Sequence, residues 1–554
     1  MKQFFLFLIS FSIWCSTSAV AQQKKTIQII HTDFTDSNQN EIPGASILTG
    51  NVQIEHDGVL INCNKLYFFE KENYAKAFGN VIMNQGDTIF MNSRYAEYNG
   101  NEKFAYASGE VILRSPESTL TTDTLNFDRN IQQAYYNSYG TIINKDNTLK
   151  SKSGRYFLTE KKYQFLTAVT VTNPQCVIKS NHLDFYDNSG HAYVFGPSTI
   201  TSKDNVIYTE RGFYDTKKDL ATLTKNSTIK YDNRLIKGDK IFYDRKRDFS
   251  SATDNVKITD TINKMIVRGH YAEVYKKQDS MFITKKALLS SLVENDSVYI
   301  HAKKLLVTGK QGERIVRGFN NARIYKIDMS GKCDSIHSDQ KKGLTQLIGK
   351  PVLWNNESQM TGDVIHLIGN NKTEKLDSLK VLNNAFIVQK DTLGTGYNQV
   401  KGQDLFGKFK DNKLSTVDLV KNTEKIYYMY NDKNELEMID KGVSSRIHLE
   451  LEDNKIQTMT AYVDPKSDSY PPDQFPENAR KLRGFVWRGD ERIKSKDDIF
   501  PPEELALDAK ILKESLAKDL ENEKPMEATK ETLEYGKPPK KEKAKAKAKN
   551  TKKK

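Results

Sequence analysis

Proline is nearly missing from the first 464 residues, which hold five of the chain's 14. Its absence leaves β-sheet hydrogen-bond ladders uninterrupted over most of the chain. Cysteine is almost as rare. Of four, Cys15 falls in the N-terminal apolar stretch, leaving Cys63, Cys176 and Cys333. Three dispersed cysteines do not make a disulfide framework. They read as small buried hydrophobes, although one pair could bridge in an oxidising compartment. The nine histidines form no His-x-x-x-His or His-Glu pair of the kind that builds a metal site. There is no Gly-x-Ser-x-Gly elbow and no phosphate-binding Gly-x-x-x-x-Gly-Lys loop. Gly394-Thr395-Gly396 lacks the third glycine of a dinucleotide site. The sequence therefore offers no catalytic residue, metal or cofactor, and a non-enzymatic role is expected. A glycan-cleaving β-solenoid is the weakest alternative, since a carboxylate pair leaves little local signature.

Long apolar runs are also absent after the first 21 residues. Those begin with Lys2, continue almost wholly apolar from Phe4 to Trp14 and end Ala19-Val20-Ala21. This is the pattern of a cleaved secretory signal, too short to span a bilayer. Positive charge is concentrated at the other end. From Lys537 onward there are ten lysines and one glutamate, so the tail carries +9 of the formal +13 and the rest only +4. Residues 525–554 are expected to be disordered. Contact with an anionic membrane surface is one reading of the tail and a bland solubilising role the other; export argues against nucleic acid.

What the chain has in abundance is repetition. Ala75-Lys76-Ala77-Phe78-Gly79-Asn80-Val81 recurs as Ala105-Tyr106-Ala107-Ser108-Gly109-Glu110-Val111 and, more loosely, from Ala192, Ala221 and Ala252. The Gly/Asn node falls at 50, 79, 109, 140, 196, 226 and 255, with Ala168 near the one missing slot. Such a period marks stacked units that share one core. Between nodes, apolar and polar residues alternate, as in Gly50-Asn51-Val52-Gln53-Ile54. That gives strands with one buried face. Each unit is expected to hold two or three short strands, one of them starting after the node. Recurring acidic-aromatic elements, such as Asp184-Phe185-Tyr186-Asp187 and Asp239 to Asp244, are assigned to turn corners, because an active site would occur once rather than once per repeat.

After about Val463 the composition changes. Tyr470-Pro471-Pro472, Phe475-Pro476 and Phe500-Pro501-Pro502 mark an irregular segment, 464–502, around an aromatic-basic patch from Leu482 to Arg488. Residues 503–524 read as an amphipathic helix with Leu505, Ile511, Leu512, Leu516 and Leu520 as its apolar stripe, docked by default on the body.

Gly50-Asn51-Val52-Gln53-Ile54, Gly58 to Leu66 with Cys63-Asn64, and Ala75 to Val81 together resemble the OstA-like (organic solvent tolerance) domain family. The likeness is good from about 28 to 160 and more degenerate to about 390. It implies an all-β fold: an open twisted β-jelly roll, here a solenoid-like stack of ~30-residue repeats. Domains would cover 22–165 and, in one or two blocks, 166–463. The resemblance also implies a periplasmic protein, with association with the outer membrane as one reading, that carries lipopolysaccharide or a related lipid along an apolar groove. It would pair by strand addition with inner- and outer-membrane lipopolysaccharide-transport proteins. Candidate groove residues are Val52, Ile54, Leu66, Phe68, Val81, Met83, Ile89, Val111 and Leu113. The rival reading is a structural envelope protein, a spacer or assembly platform with a filled core.

Overall fold

Each repeat folds as two long antiparallel strands rather than two or three short ones. The early strands are Ser46–His56, Val59–Phe69, Tyr74–Gln85, Ile89–Asn99, Phe104–Arg114 and Thr119–Asp128, each paired with the next. The computed structural model describes residues 26–37, 42–86, 89–293, 296–355, 357–370, 373, 375–452 and 455–523. The signal-like N-terminus and the lysine tail lie outside them.

Strands start at Gly140 and directly after Asn226, as expected, but the other Gly/Asn nodes do not begin strands. They sit in the middle, where the pairing register slips, as between Thr49 and Val52, Phe78 and Val81, and Ser108 and Val111. At most nodes two successive residues adopt left-handed backbone: Gly50/Asn51, Gly79/Asn80, Gly109/Glu110, Thr167/Ala168, Asp254/Asn255. Two such residues make a bulge that bends the strand. Glycine and asparagine recur there because they tolerate positive φ best. At Gly79 the need is twofold: φ is +70°, and a Cβ would stand 2.9 Å from the Asn64 side chain. The unrecognised slot near 168 is bent too, with Thr167 and Ala168 at φ 64° and 54°.

The bend lets both halves of a strand bury side chains on one inner side. On one half the repeated alanines point inward: Ala75, Ala77, Ala105 and Ala107 are all buried. On the other half Val52, Ile54, Val81, Met83, Val111 and Leu113 do the same. Small residues facing large ones let the two halves interdigitate. Turn corners follow a strict period. Asn99, Asp128, Asp215 and Asp244, spaced by 29 residues or three times 29, each accept a backbone N–H two or three residues on, for example Lys217 N and Lys218 N on Asp215 Oδ1 at 3.1 and 3.0 Å.

The chain forms two compact units, the first comprising residues up to 264 plus 272–280, the second 265–271 plus 281 onward. The boundary read at 165/166 falls inside the strand Lys162–Thr172 of the first unit. In the second unit the same bends recur at Lys285/Lys286, Asn320/Asn321, Asn383/Asn384 and Lys421/Asn422.

The segment read as irregular starts with a further strand, Lys466–Tyr470, and then becomes a strap across the outer face of the second unit. Buried Gln399 donates Nε2 to Arg480 O (2.8 Å) and accepts Leu482 N (2.9 Å). Buried Gln359 does the same with Val486 O and Arg488 N, both at 2.7 Å. Farther on, Tyr325 Oη donates to Lys494 O and Arg323 to Ile499 O. Phe475, Leu482, Ile493 and Ile499 are buried along the way. This cover explains why Phe386 and Val388, adjacent in alternation to inward Ala385 and Ile387, are buried as well.

The helix spans Pro502–Glu523 and docks on the second unit, only in part by the stripe read for it. Ile511 is buried, but Leu505 and Leu512 are exposed; the side chains of Leu516 and Leu520 lie outside the description. Polar groups hold it as well. Asp508 bridges His270 Nε2 (2.9 Å) and Lys286. Glu504 faces His301 Nε2 at 3.7 Å. His301 is fully buried, with Nδ1 2.8 Å from Ala287 O, and burial pushes its pKa down to about 4. A folded pKa below the unfolded value gives stability that is present above pH 6.5 and lost as the pH falls towards 4. The second unit is therefore expected to lose up to about 3 kcal/mol across that window. Glu504, whose carboxyl is raised by burial, offsets part of this. Urea unfolding at pH 7 and pH 4.5, in wild type and His301→Phe, checks it; equal slopes with pH in both proteins would refute the assignment.

Candidate functional site: the enclosed interior and its rims

Because the long strands bend near their middles, their hairpin turns lie along two rims, one on each side of the buried interior. One rim of the first unit carries the turns at 70–73, 100–103, 129–132, 158–161, 187–190, 216–219, 245–248 and 276–279; the other carries those near 57, 86, 116, 145, 174, 204, 232 and 262.

The two rims are joined by side chains. Lys103 Nζ reaches Asp57 Oδ2 (2.5 Å), and Arg129 donates to Asp57 O (2.8 Å) and to the hydroxyl of buried Tyr98 (2.7 Å). That hydroxyl shares a 2.7 Å hydrogen bond with His56 Nδ1. Burial raises the Tyr98 phenol despite Arg129, so the ring stays neutral. Further along, Gln85 meets Gln132 (3.4 Å), Lys161 meets Glu117 (3.5 Å) and Ser118 meets Tyr163 (2.6 Å). Asn144 bonds Asp187, whose carboxyl burial raises. Buried Arg234 pairs with Asp260 on its own rim (3.5 Å) and with Asp279 across the gap (3.1 Å). Arg129 and Asp57 lie 72 residues apart, and the partners in the other crossings 43 to 47. These are half-integral numbers of repeats, two and a half and one and a half, the offsets that carry a turn on one rim to a turn on the other. The sequence reading missed these residues, because polar turn residues look like turn chemistry; the half-integral spacing is the signal that could have found them.

Inside the rims the lining is apolar. Eight of the nine candidate residues are buried: Val52, Ile54, Leu66, Phe68, Val81, Met83, Val111 and Leu113. Ile89 is only half-buried, at the start of its strand. Pairing brings several together: Leu66 lies opposite Ala77, Ile54 opposite Ile61, Met83 opposite both Ile61 and Met91, and Leu113 opposite Met91. Beside the bends runs a row of small buried polar groups, Ser93, Ser151, Ser180 and Thr209. The last three bond backbone carbonyls two residues on, at 2.9, 2.9 and 2.8 Å, and so satisfy themselves locally. Cys63, Cys176 and Cys333 are free and buried, and burial lifts the Cys63 and Cys333 thiols to about 11 and about 12. Among the described residues no three His, Cys, Asp or Glu side chains gather into a metal-binding group. No described helix is long and apolar enough to cross a membrane.

The stack has an open edge at its start. Strands Gln28–His31 and Phe34–Asp36 both pair with Ser46–His56, and no other pairing is seen for either among the described residues. Ile29, Ile30 and Phe34 are exposed there, Phe34 to 73%.

Residues 24–181 match the family model described as OstA-like protein. The chain is OstA-like over that stretch, which contains all nine candidate residues. A solved structure similar to part of the chain is that of LptH from Pseudomonas aeruginosa, described as the LptA homologous periplasmic component of the conserved lipopolysaccharide transport device. It is 16% identical, with 26% of this chain and 93% of that one covered and a TM-score of 0.20. No curated protein matches.

Proposed function

We propose that this chain is a non-enzymatic periplasmic scaffold that carries lipopolysaccharide or a related lipid in its apolar interior towards the outer membrane. The observation that carries the reading is an apolar interior bounded by two rims that, across the gap and among the described residues, only side-chain bonds join. An acyl chain entering between them gains burial of about 0.8 kcal/mol per methylene, while a polar head stays at the rim in water. The OstA-like match over 24–181 supports the same reading. The unpaired N-terminal edge, with exposed Ile29 and Phe34, suits strand addition by inner- or outer-membrane transport components.

A photoreactive residue at Ile54, Phe68 or Ile89 tests it in cells, with Ile82, exposed on the opposite face, as control. The expected result is lipopolysaccharide adducts at the three inward sites and none at Ile82. A folded, exported protein without adducts would favour the rival, a packed envelope spacer.

A further inference from the structure

The rim changes character along its length. Counting the four residues of each turn, the five at 70–73 to 187–190 sum to −1, whereas the three at 216–219, 245–248 and 276–279 sum to +4. These three are stacked: Thr216 N bonds Gly190 O, Arg245 N bonds Asp219 O and Lys276 N bonds Asp248 O, at 2.9 to 3.1 Å. Two inter-strand spacings place successive turns about 10 Å apart.

The acidic residues there are largely engaged. Asp215 and Asp244 cap their own turns and hold Lys218 (3.4 Å) and Arg247 (2.5 Å), and Asp248 holds Lys277 (3.6 Å). That leaves Lys217, Lys246 and Arg245 without a carboxylate partner among the described residues. Lys217 Nζ lies on Asn188 O, Lys246 Nζ on Lys217 O and Arg245 reaches Gln175 O on the opposite rim. Carbonyl contacts orient these cations without neutralising them. Lys276 faces the Tyr231 ring at 5.6 Å from its centroid.

We infer that these three turns form an anion rail that takes the phosphate groups of an amphiphile whose chains lie inside the rims. The inference rests on the interior-carrying function proposed above and adds a head-group site to it, outside the OstA-like stretch. Ammonium and guanidinium groups in a row, beside an apolar interior, match a ligand that is apolar at one end and bears phosphates at the other.

Dodecyl phosphate and dodecyl maltoside, titrated below their micellar concentrations into the full chain, are the probes, with inorganic phosphate as a third arm. The expected result is about a tenfold preference for the phosphate ester at low salt, shrinking in 0.5 M NaCl as exposed charges are screened. The pair Lys217→Glu/Lys246→Glu should remove the preference while leaving dodecyl maltoside binding unchanged, which also reports an intact fold. Lys217→Gln/Lys246→Gln should fall between. Equal binding of the two amphiphiles by the wild type would overturn the rail and leave the interior function standing. Inorganic phosphate binding as tightly as the ester would overturn it in favour of a free-anion site. Binding of neither amphiphile would remove the interior function, and the rail with it.

Discussion

Tethering the rims is expected to abolish lipid loading. In the double variant Asp57→Cys/Lys103→Cys, a bis-maleimide would replace the 2.5 Å ion pair with a covalent strut. A second strut at Asn144→Cys/Asp187→Cys would hold the seam farther along. The native thiols should not interfere: Cys63, Cys176 and Cys333 are buried, and burial raises the pKa of each. A thiol kept protonated reacts slowly. The argument for a large effect is geometric. The backbone closes the interior at the bends, and the side-chain crossings are what closes it at the rims. Exposed ion pairs contribute about 0–1 kcal/mol each, so thermal motion can part a local stretch of seam; a covalent strut cannot be parted. Loading would be followed by co-purification of lipopolysaccharide, with and without tether. Undiminished lipid in the doubly tethered protein would mean that entry does not pass between the rims.

Removing the strap is expected to be the most damaging change to the second unit. Ending the chain at residue 470 uncovers Phe386, Val388, Ile426, Tyr428 and Ile439 on the face that Phe475 and Leu482 now seal. It also strips both hydrogen-bond partners from Gln359 and Gln399. A milder version isolates the polar part. Gln399→Ala leaves Arg480 O and Leu482 N without their partners, at about 1–3 kcal/mol for each group that stays buried. Gln359→Ala should cost a similar amount, and the two should add, since they hold different stretches of strap. Thermal unfolding with limited trypsin digestion at Lys481 and Arg483 would measure this. Protection at those sites unchanged in the double variant would show that apolar anchors alone fix the strap.

These expectations divide along a line that also separates what was readable beforehand from what was not. Period, alternation and the Gly/Asn nodes were legible, because they follow from local backbone and one-sided burial. Asp244 was rightly assigned to a corner for the same reason. The position of the node within a strand was not legible. A Gly-Asn pair looks like a turn, and only partner strands on both sides reveal a bulge. In the second unit Lys285/Lys286 and Lys421/Asn422 take the same bend with residues that advertise it poorly. The strap was seen as an aromatic-basic patch, but its role depends on Gln359 and Gln399, more than eighty residues away along the chain. The helix stripe holds at Ile511 but not at Leu505 and Leu512, because Asp508 and Glu504 face the body through His270, Lys286 and His301. For the candidate interior, alternation found the inward face, whereas the rims that bound it depend on pairings one and a half repeats apart.

That spacing governs how such a protein can change length. One strand carries the chain from one rim to the other, so a single added strand would exchange the rims for everything downstream. Lysines meant for one side would arrive on the other, and each Asp–Lys crossing would lose its partner. A pair of strands, 29 residues, restores the register of bends, corners and crossings together. Growth or loss is therefore tolerated only in whole repeats, and a chain built this way can be lengthened to fit a gap without redesigning either side of its seam.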